Sequence, residues 1–199
     1  MKDRKLSRSQ REMLEIAREQ IRRTSIDLVK IAVAGSGVSY VAELAQRESK
    51  LDARMPLNLK LCAVTQWDVI RSLNEVAGGD CWGAGHLDII IRSFRKLQKS
   101  GARPMCLWLD KAGRMSPTDQ ENLASRITWA AANAGIKVRL VYLMQKVIAW
   151  SNREQEDVRD WVISSHVAAR AQNWMFSDEG FEECLHDADA DDEREIKIA

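Results

Sequence analysis

Apolar and polar residues follow two alternating patterns along this chain. Short, nearly continuous apolar runs have the length of β-strands that are buried on both faces, as in parallel sheets. These runs lie at Ile26–Ala34, Asn58–Thr65, Met105–Leu109 and Val138–Met144. The segments between them carry helical periodicity or helix start signals, which predict helices over Tyr40–Ser49, Trp67–Val76, His86–Ser100 and Pro117–Asn133. Strands that alternate with helices predict an α/β fold, here a three-layer sandwich with a mainly parallel sheet.

The clearest part of this pattern runs from residue 102 to residue 144. Its first apolar run ends on Asp110, and Ser116 then supplies the N-cap of a long helix. Ligands of open parallel sheets collect at the carboxyl ends of the strands, so Asp110 lies where any chemistry is expected. We also expect Val33 and Leu109 to belong to neighbouring strands that run in the same direction.

Charge and apolar content divide the chain into three parts. Residues 1–24 form a basic amphipathic helix, and a capping-box pattern begins at Ser9. Residues 25–176 form the α/β domain. Residues 177–199 form a short helix and an acidic tail, which has too few apolar residues to order itself.

The two ends of the α/β domain are less distinct. On the N-terminal helix, Arg11, Arg18 and Arg22 could contact phosphate, but the apolar stripe favours packing against the domain. Towards the other end, a last strand is predicted at residues 161–163, and a helix or turn at 164–174.

Composition excludes several classes of protein. The net charge is +1, so no overall field attracts nucleic acid; the oppositely charged ends fit head-to-tail self-association, a basic arm on nucleic acid, or two solubilising tails. The four cysteines lack CxxC spacing, and we expect Cys62 and Cys106 to be buried thiols of a reducing compartment. The histidines show no metal-binding spacing, which predicts no metal site. The absence of a signal peptide and of a membrane-length apolar run predicts a cytoplasmic protein.

A turn rich in small residues follows the first strand. Its sequence is Gly35-Ser36-Gly37-Val38-Ser39, and backbone amides at such a strand-to-helix turn can cradle an anion. The phosphate-binding pattern GxxxxGK(S/T) requires a lysine that this turn lacks. A tight structural turn is therefore the favoured interpretation.

The order of these parts resembles the P-loop AAA+ core, in particular the transposition-helper ATPases of the Mu B and TniB kind. The resemblance covers about residues 26–150. It places the Walker A loop at Ala34–Ser39, the Walker B strand at Met105–Lys111 and the sensor strand at Val138–Gln145. The nucleotide-binding positions that the resemblance implies are Gly35, Ser36, Gly37, Ser39, Asp110 and Gln145.

The departures from that family bear on activity. The loop lysine is absent, and Lys111 stands where the family has the glutamate that polarises the attacking water. Because positioned charge supplies nearly all the catalysis of phosphoryl transfer, the loss of both groups predicts a degenerate enzyme with no catalytic residues.

The leading hypothesis is therefore a non-catalytic adaptor without a cofactor. It would bind protein partners in a nucleic-acid transaction of a mobile or plasmid-type element, and could form a homo-oligomer. One alternative is a helper that still binds ATP with magnesium and assembles on DNA. Another is a DNA-binding protein that uses the face of Arg11, Arg18 and Arg22.

Seven tryptophans are many for a chain of 199 residues. Trp108 and Trp129 fall at core positions of their predicted elements. The others lie near element ends or in loops, where exposure is expected: Trp67, Trp82, Trp150, Trp161 and Trp174. Exposed aromatics serve protein interfaces or stack on single-stranded bases. The protein interface is favoured, because no aromatic stripe is regularly interleaved with basic residues.

Overall fold

A computed structural model describes residues 6–21, 27–33, 37–101, 103–146 and 171–174 of the chain. Within this part, five strands form one sheet in the order β2-β3-β4-β1-β5, and every neighbouring pair is parallel. The strands are β1 (Asp27–Val33), β2 (Leu57–Cys62), β3 (Met105–Asp110), β4 (Val138–Lys146) and β5 (Ala171–Trp174). The helices are α1 (Arg8–Glu15, continued by a π-helical stretch Ile16–Gln20), α2 (Val38–Leu51), α3 (Gln66–Val76), α4 (His86–Lys99) and α5 (Pro117–Asn133).

Helices cover both faces of the sheet. On one face, α3, α4 and α5 enclose a core that includes Leu107 and Leu109 of β3. On the other face, α1 and α2 enclose a second core that includes Cys106 and Trp108. All six residues of β3 are buried, because alternate side chains of a central strand enter opposite cores. The predicted three-layer α/β sandwich with a parallel sheet is confirmed.

The lateral order of the strands differs from the expectation in one respect. Val33 and Leu109 lie in strands that run in the same direction, but β4 lies between β1 and β3, so the two strands are not neighbours. The run Val138–Met144 is apolar on both faces, as an interior strand requires. The order of the strands along the chain does not reveal that this strand lies between β1 and β3.

Helix α2 protects the exposed edge of the sheet. The amide of Asn58 in edge strand β2 donates to Ser49 Oγ at 3.0 Å, and the amide of Lys60 donates to Gln46 Oε1 at 2.7 Å. Two of the amides that an edge strand would offer to another chain are therefore satisfied by α2.

The N-terminal helix begins two residues earlier than the capping pattern predicted. Ser7, not Ser9, caps α1, in a capping box with Gln10. The apolar stripe is buried against α2 and the sheet, with Met13 at 1% and Ala17 at 0% exposure. Packing therefore accounts for the apolar side of this helix.

The C-terminal part corrects a second expectation. Residues 171–174, predicted as helix or turn, form β5, which pairs with β1 from Asp27 to Lys30. The sequence Ala-Gln-Asn-Trp shows no apolar alternation, so only its neighbour strand identifies it as a strand. The strand predicted at 161–163 and the tail predicted at 177–199 lie outside the described residues.

Two residues predicted to be buried are exposed. Cys62 is the last residue of edge strand β2 and lies open to solvent, whereas Cys106 in central strand β3 is fully buried. Trp129 has 53% of its surface exposed on α5, although it falls within an apolar stretch of the sequence.

Among the described helices, none has an apolar stretch long enough to span a bilayer.

The difference in burial between Cys62 and Cys106 therefore predicts which of the two thiols reacts first. Burial raises the pKa of the Cys106 thiol well above its ordinary value, so little thiolate forms there and reagents cannot reach it. We expect iodoacetamide to alkylate Cys62 in the native protein, and Cys106 only after unfolding. Peptide mass spectrometry measures each site separately. Equal native rates at the two cysteines would contradict the burial described here.

Candidate functional site

Asp110 and Ser39 form the centre of the candidate site. Asp110 ends β3 at the carboxyl edge of the sheet and is only 6% exposed. Ser39 lies in the first turn of α2, and its Oγ donates to Asp110 Oδ1 at 2.7 Å. Helix α2 connects β1 to β2, so it must cross β4 and β3. That crossing carries the start of α2 over the end of β3.

The turn before α2 depends on Gly37. This residue caps α2 with φ at 77°, a left-handed conformation that favours glycine. A Cβ atom at this position would lie 2.6 Å from Gln10 Nε2 on α1. The backbone conformation favours glycine here, and a larger residue would also have to displace the Gln10 side chain.

A lysine that sequence reasoning missed completes the site. Lys60 Nζ in β2 lies 3.6 Å from Asp110 Oδ2 and 3.0 Å from Glu43 Oε1 on α2. Its hydrogen bond and its charge lower the pKa of Glu43. The available signal was a lysine inside the apolar run Leu59-Lys60-Leu61, since a buried strand tolerates an ammonium only beside an anion.

Val38 and Lys111, which stand beside Ser39 and Asp110, supply neither the loop lysine nor the second carboxylate of a P-loop enzyme. Val38 follows Gly37 directly, and its apolar side chain is 4% exposed. Lys111 follows Asp110 with φ at 67°, and its side chain is exposed. Positive φ is uncommon outside glycine and tends to occur at functional sites or tight turns. Here a turn follows at once, held by Gln120 Nε2, which donates to the carbonyl of Met115 at 3.1 Å.

The structure brings together some of the sequence-predicted positions. Gly37, Ser39 and Asp110 lie at one edge of the sheet. The backbone of Gln145 pairs with Ala32 in the β4–β1 ladder, and its side chain is outside the description. Gly35 and Ser36 also lie outside the described residues.

The described basic N-terminal positions lie on α1 and on its π-helical continuation. Arg11 is exposed on α1. Arg18 holds Glu48 of α2 with two hydrogen bonds, Nε–Oε2 at 3.0 Å and Nη2–Oε1 at 2.7 Å. This guanidinium joins two helices, so a phosphate would have to displace a carboxylate to reach it. Arg22 lies outside the described residues.

The described side chains at this edge supply only part of a site for magnesium and a triphosphate, and residues 34–36 of the turn lie outside the described residues. Ser39 and Asp110 supply one hydroxyl and one carboxylate, the oxygen ligands that magnesium takes. However, the Lys60 ammonium already neutralises that carboxylate, and the adjacent turn position carries Val38 instead of a cation. Within the described residues, no three His, Cys, Asp or Glu side chains group as a metal site.

The fold is similar to that of a solved structure. The chain is similar to the crystal structure of Cdc6p from Pyrobaculum aerophilum, a P-loop AAA+ ATPase, with a TM-score of 0.50 and 12% identity. The match covers 93% of this chain and 50% of that one, so this chain spans about half the length of its neighbour.

The described domain has a P-loop AAA+-like fold. At this level of identity the likeness concerns the fold alone. No protein-family profile matches the sequence. No curated protein has significant sequence similarity to it.

Proposed function

We propose that this P-loop AAA+-like chain is a non-catalytic adaptor that binds protein partners in a nucleic-acid transaction of a mobile or plasmid-type element. The non-catalytic part of the proposal rests on the two partners of the Asp110 carboxylate. One of its oxygens accepts a hydrogen bond from Ser39, and the other faces the Lys60 ammonium. Fold similarity does not specify the transaction, which rests on the resemblance to transposition helpers.

The chemistry of P-loop enzymes gives this observation its meaning. In those enzymes a loop hydroxyl and the aspartate after the central strand hold magnesium, and a loop lysine reaches the β- and γ-phosphates. We take Ser39 and Asp110 as the counterparts of that pair, because the two side chains meet at the end of β3. The cation beside them, Lys60, comes from β2, so it neutralises the aspartate instead of a phosphate.

The second missing group removes the chemical step. A glutamate that polarises water stands after the aspartate in the family, and Lys111 stands here. The ammonium group of a lysine has three donors and no acceptor, so it cannot take the place of that carboxylate. With neither phosphate lysine nor base, turnover would fall by several orders of magnitude, and the domain would act by binding.

An ATP-binding helper is the second candidate function. The 2.7 Å contact between Ser39 and Asp110 favours it, because this pair could still accept magnesium if Lys60 moved towards Glu43. The two candidates make opposite predictions about nucleotide.

We expect ATP with magnesium neither to raise the melting temperature nor to release phosphate above the rate of buffer. Differential scanning fluorimetry and a phosphate-release assay measure the two quantities. Binding at 100 times Kd would add about 2.7 kcal/mol of stability, which is readily detected. The matched control is Asp110→Asn, which preserves size and removes the negative charge that would attract magnesium.

Three outcomes separate the candidates. Stabilisation of the wild type that Asp110→Asn abolishes would support the ATP-binding helper and overturn the adaptor. Stabilisation that persists in Asp110→Asn would place the nucleotide elsewhere and leave this site non-catalytic. Partner capture that is equal with and without ATP would support the adaptor, because its contacts need no nucleotide.

A further inference from the structure

Three aromatic rings lie together on the surface formed by α3, α4 and the loop between them. The Trp67 ring is centred 5.9 Å from the Trp82 ring and 5.4 Å from the His86 ring. Trp67 is 39% exposed and Trp82 50% exposed, and His86 is also exposed. Tryptophan faces of this kind are rarely left in water without a use, because their burial is strongly favourable.

The loop that presents Trp82 is anchored at several points. Buried Asn74 accepts the Cys81 amide at its Oδ1 at 2.8 Å, and its carbonyl accepts the Gly79 amide at 2.8 Å. Arg92 Nη1 of α4 donates to the Trp82 carbonyl at 3.0 Å. These bonds hold the aromatic cluster in place before any ligand arrives, which reduces the entropy that binding would cost.

A row of cations continues from this cluster along α4. It follows helical spacing on one face and, with Asp80 and Cys81, lines an open groove: Arg92, Arg95, Lys96 and Lys99. Asp88 pairs with Arg92 at 3.1 Å, and Asp80 pairs with Lys96. Among the described residues, no carboxylate pairs with Arg95 or Lys99, so the groove keeps a positive balance.

We propose that the surface of Trp67, Trp82, His86 and the α4 cations binds single-stranded nucleic acid. Bases stack on exposed tryptophan faces, while phosphates follow a positively charged groove. In a duplex the bases are already stacked on one another, so the tryptophans favour a single strand. An acidic protein segment would use the cations but would leave the aromatic cluster without a matched partner. The proposal does not involve Asp110 and is independent of the proposed function.

The test measures fluorescence anisotropy of a labelled oligo(dT) and of a labelled duplex of equal length. The full-length protein is expected to bind the single strand more tightly than the duplex. Trp82→Ala is expected to weaken binding at least about fivefold, from the worth of one base–aromatic stack. Trp129→Ala, which removes a similarly exposed tryptophan on α5, is the matched control and should leave affinity unchanged.

The salt dependence tests the cations separately. Replacing both Arg95 and Lys99 with glutamine should reduce the slope of log K against log salt by about 1.4, from about 0.7 for each phosphate contact on a single strand. Lys50→Gln, an exposed lysine on α2 at the opposite face of the sheet, should leave the slope unchanged. If Trp82→Ala lowers the melting temperature, a second measurement replaces that variant. This measurement compares the quenching of tryptophan fluorescence by oligo(dT) in the wild type and in Trp67→Ala.

Several results would overturn the proposal. One is no binding of oligo(dT) at low salt. Another is equal binding of duplex and single strand, with no loss in the tryptophan variants. A third is that the chain binds no oligonucleotide but captures an acidic protein, and that this capture depends on Trp82. Such a result would make this surface a protein interface.

Discussion

Replacement of Trp108 with alanine is expected to lower the free energy of unfolding by about 3–5 kcal/mol, the range for large-to-small changes of buried aromatic residues. Trp108 lies in central strand β3, has 0% exposure and belongs to the core beneath α1 and α2. Its Nε1 donates to Asn58 Oδ1 at 2.9 Å, and Asn58 is also fully buried. The substitution therefore leaves both a cavity and a buried acceptor without its donor.

Urea unfolding followed by circular dichroism measures this change. Trp129→Ala is the matched control, because that side chain is 53% exposed, and a change within about 0.5 kcal/mol is expected for such a surface position. Trp108→Phe keeps a large ring but removes the donor, so it should cost less than alanine. A loss below about 1 kcal/mol for Trp108→Ala would contradict the packing described for β3.

The second large effect is expected for Lys60→Met, at about 1–2 kcal/mol. Loss of one partner of a fully buried ion pair costs about 3–5 kcal/mol. The smaller figure applies because the Lys60 side chain is 22% exposed, and its distance to Asp110 is 3.6 Å. Among the described residues, the Asp110 side chain, 8% exposed, would keep only the Ser39 hydroxyl as a partner. Lys60→Arg is the charge-preserving control.

A double-mutant cycle with Asp110→Asn identifies the interaction. Lys60→Met should cost clearly less in the Asp110→Asn background, because no buried carboxylate then lacks its cation. An equal cost in both backgrounds would show that Lys60 stabilises the fold through its stem or through Glu43 instead.

The dependence of this effect on pH follows from Glu43. Lys60 lowers the pKa of Glu43 below its ordinary value of 4.5. A carboxylate whose pKa is lower in the folded than in the unfolded state adds stability above the unfolded pKa. That stability is lost as pH falls through the folded pKa. The cost of Lys60→Met should therefore shrink below about pH 4.5, and unfolding measured across that range tests the sign.

Ser39 and Asp110 meet at the carboxyl edge of the sheet, and Lys60 from the edge strand supplies the positive charge beside that pair. An internal cation holds α2 to β2 and β3 without any ligand. This arrangement favours a domain whose stability does not depend on nucleotide, in keeping with the adaptor proposal.

The sequence by itself determined the local elements from β1 to β4 and their order. The helix predicted to begin at Pro117 after the Ser116 cap, and to stop within residues 133–135, runs over Pro117–Asn133. The strand Met105–Asp110 was predicted to be buried on both faces, and all of it is. Such features depend on contacts within a few residues and on the periodicity of burial, and both are written in neighbouring positions.

Only the tertiary structure decided what lies beside what. The insertion of β4 between β1 and β3, the approach of Lys60 to Asp110, and the meeting of Trp67 with Trp82 join residues that are distant in sequence. Trp82 and the cations of α4 are not interleaved along the chain, yet a loop that runs back along α4 makes them neighbours. The physical reason is that the lateral order of strands and the placement of helices depend on which faces pack together. The periodicity of a single sequence shows that a face is apolar, but it does not show which other face packs against it.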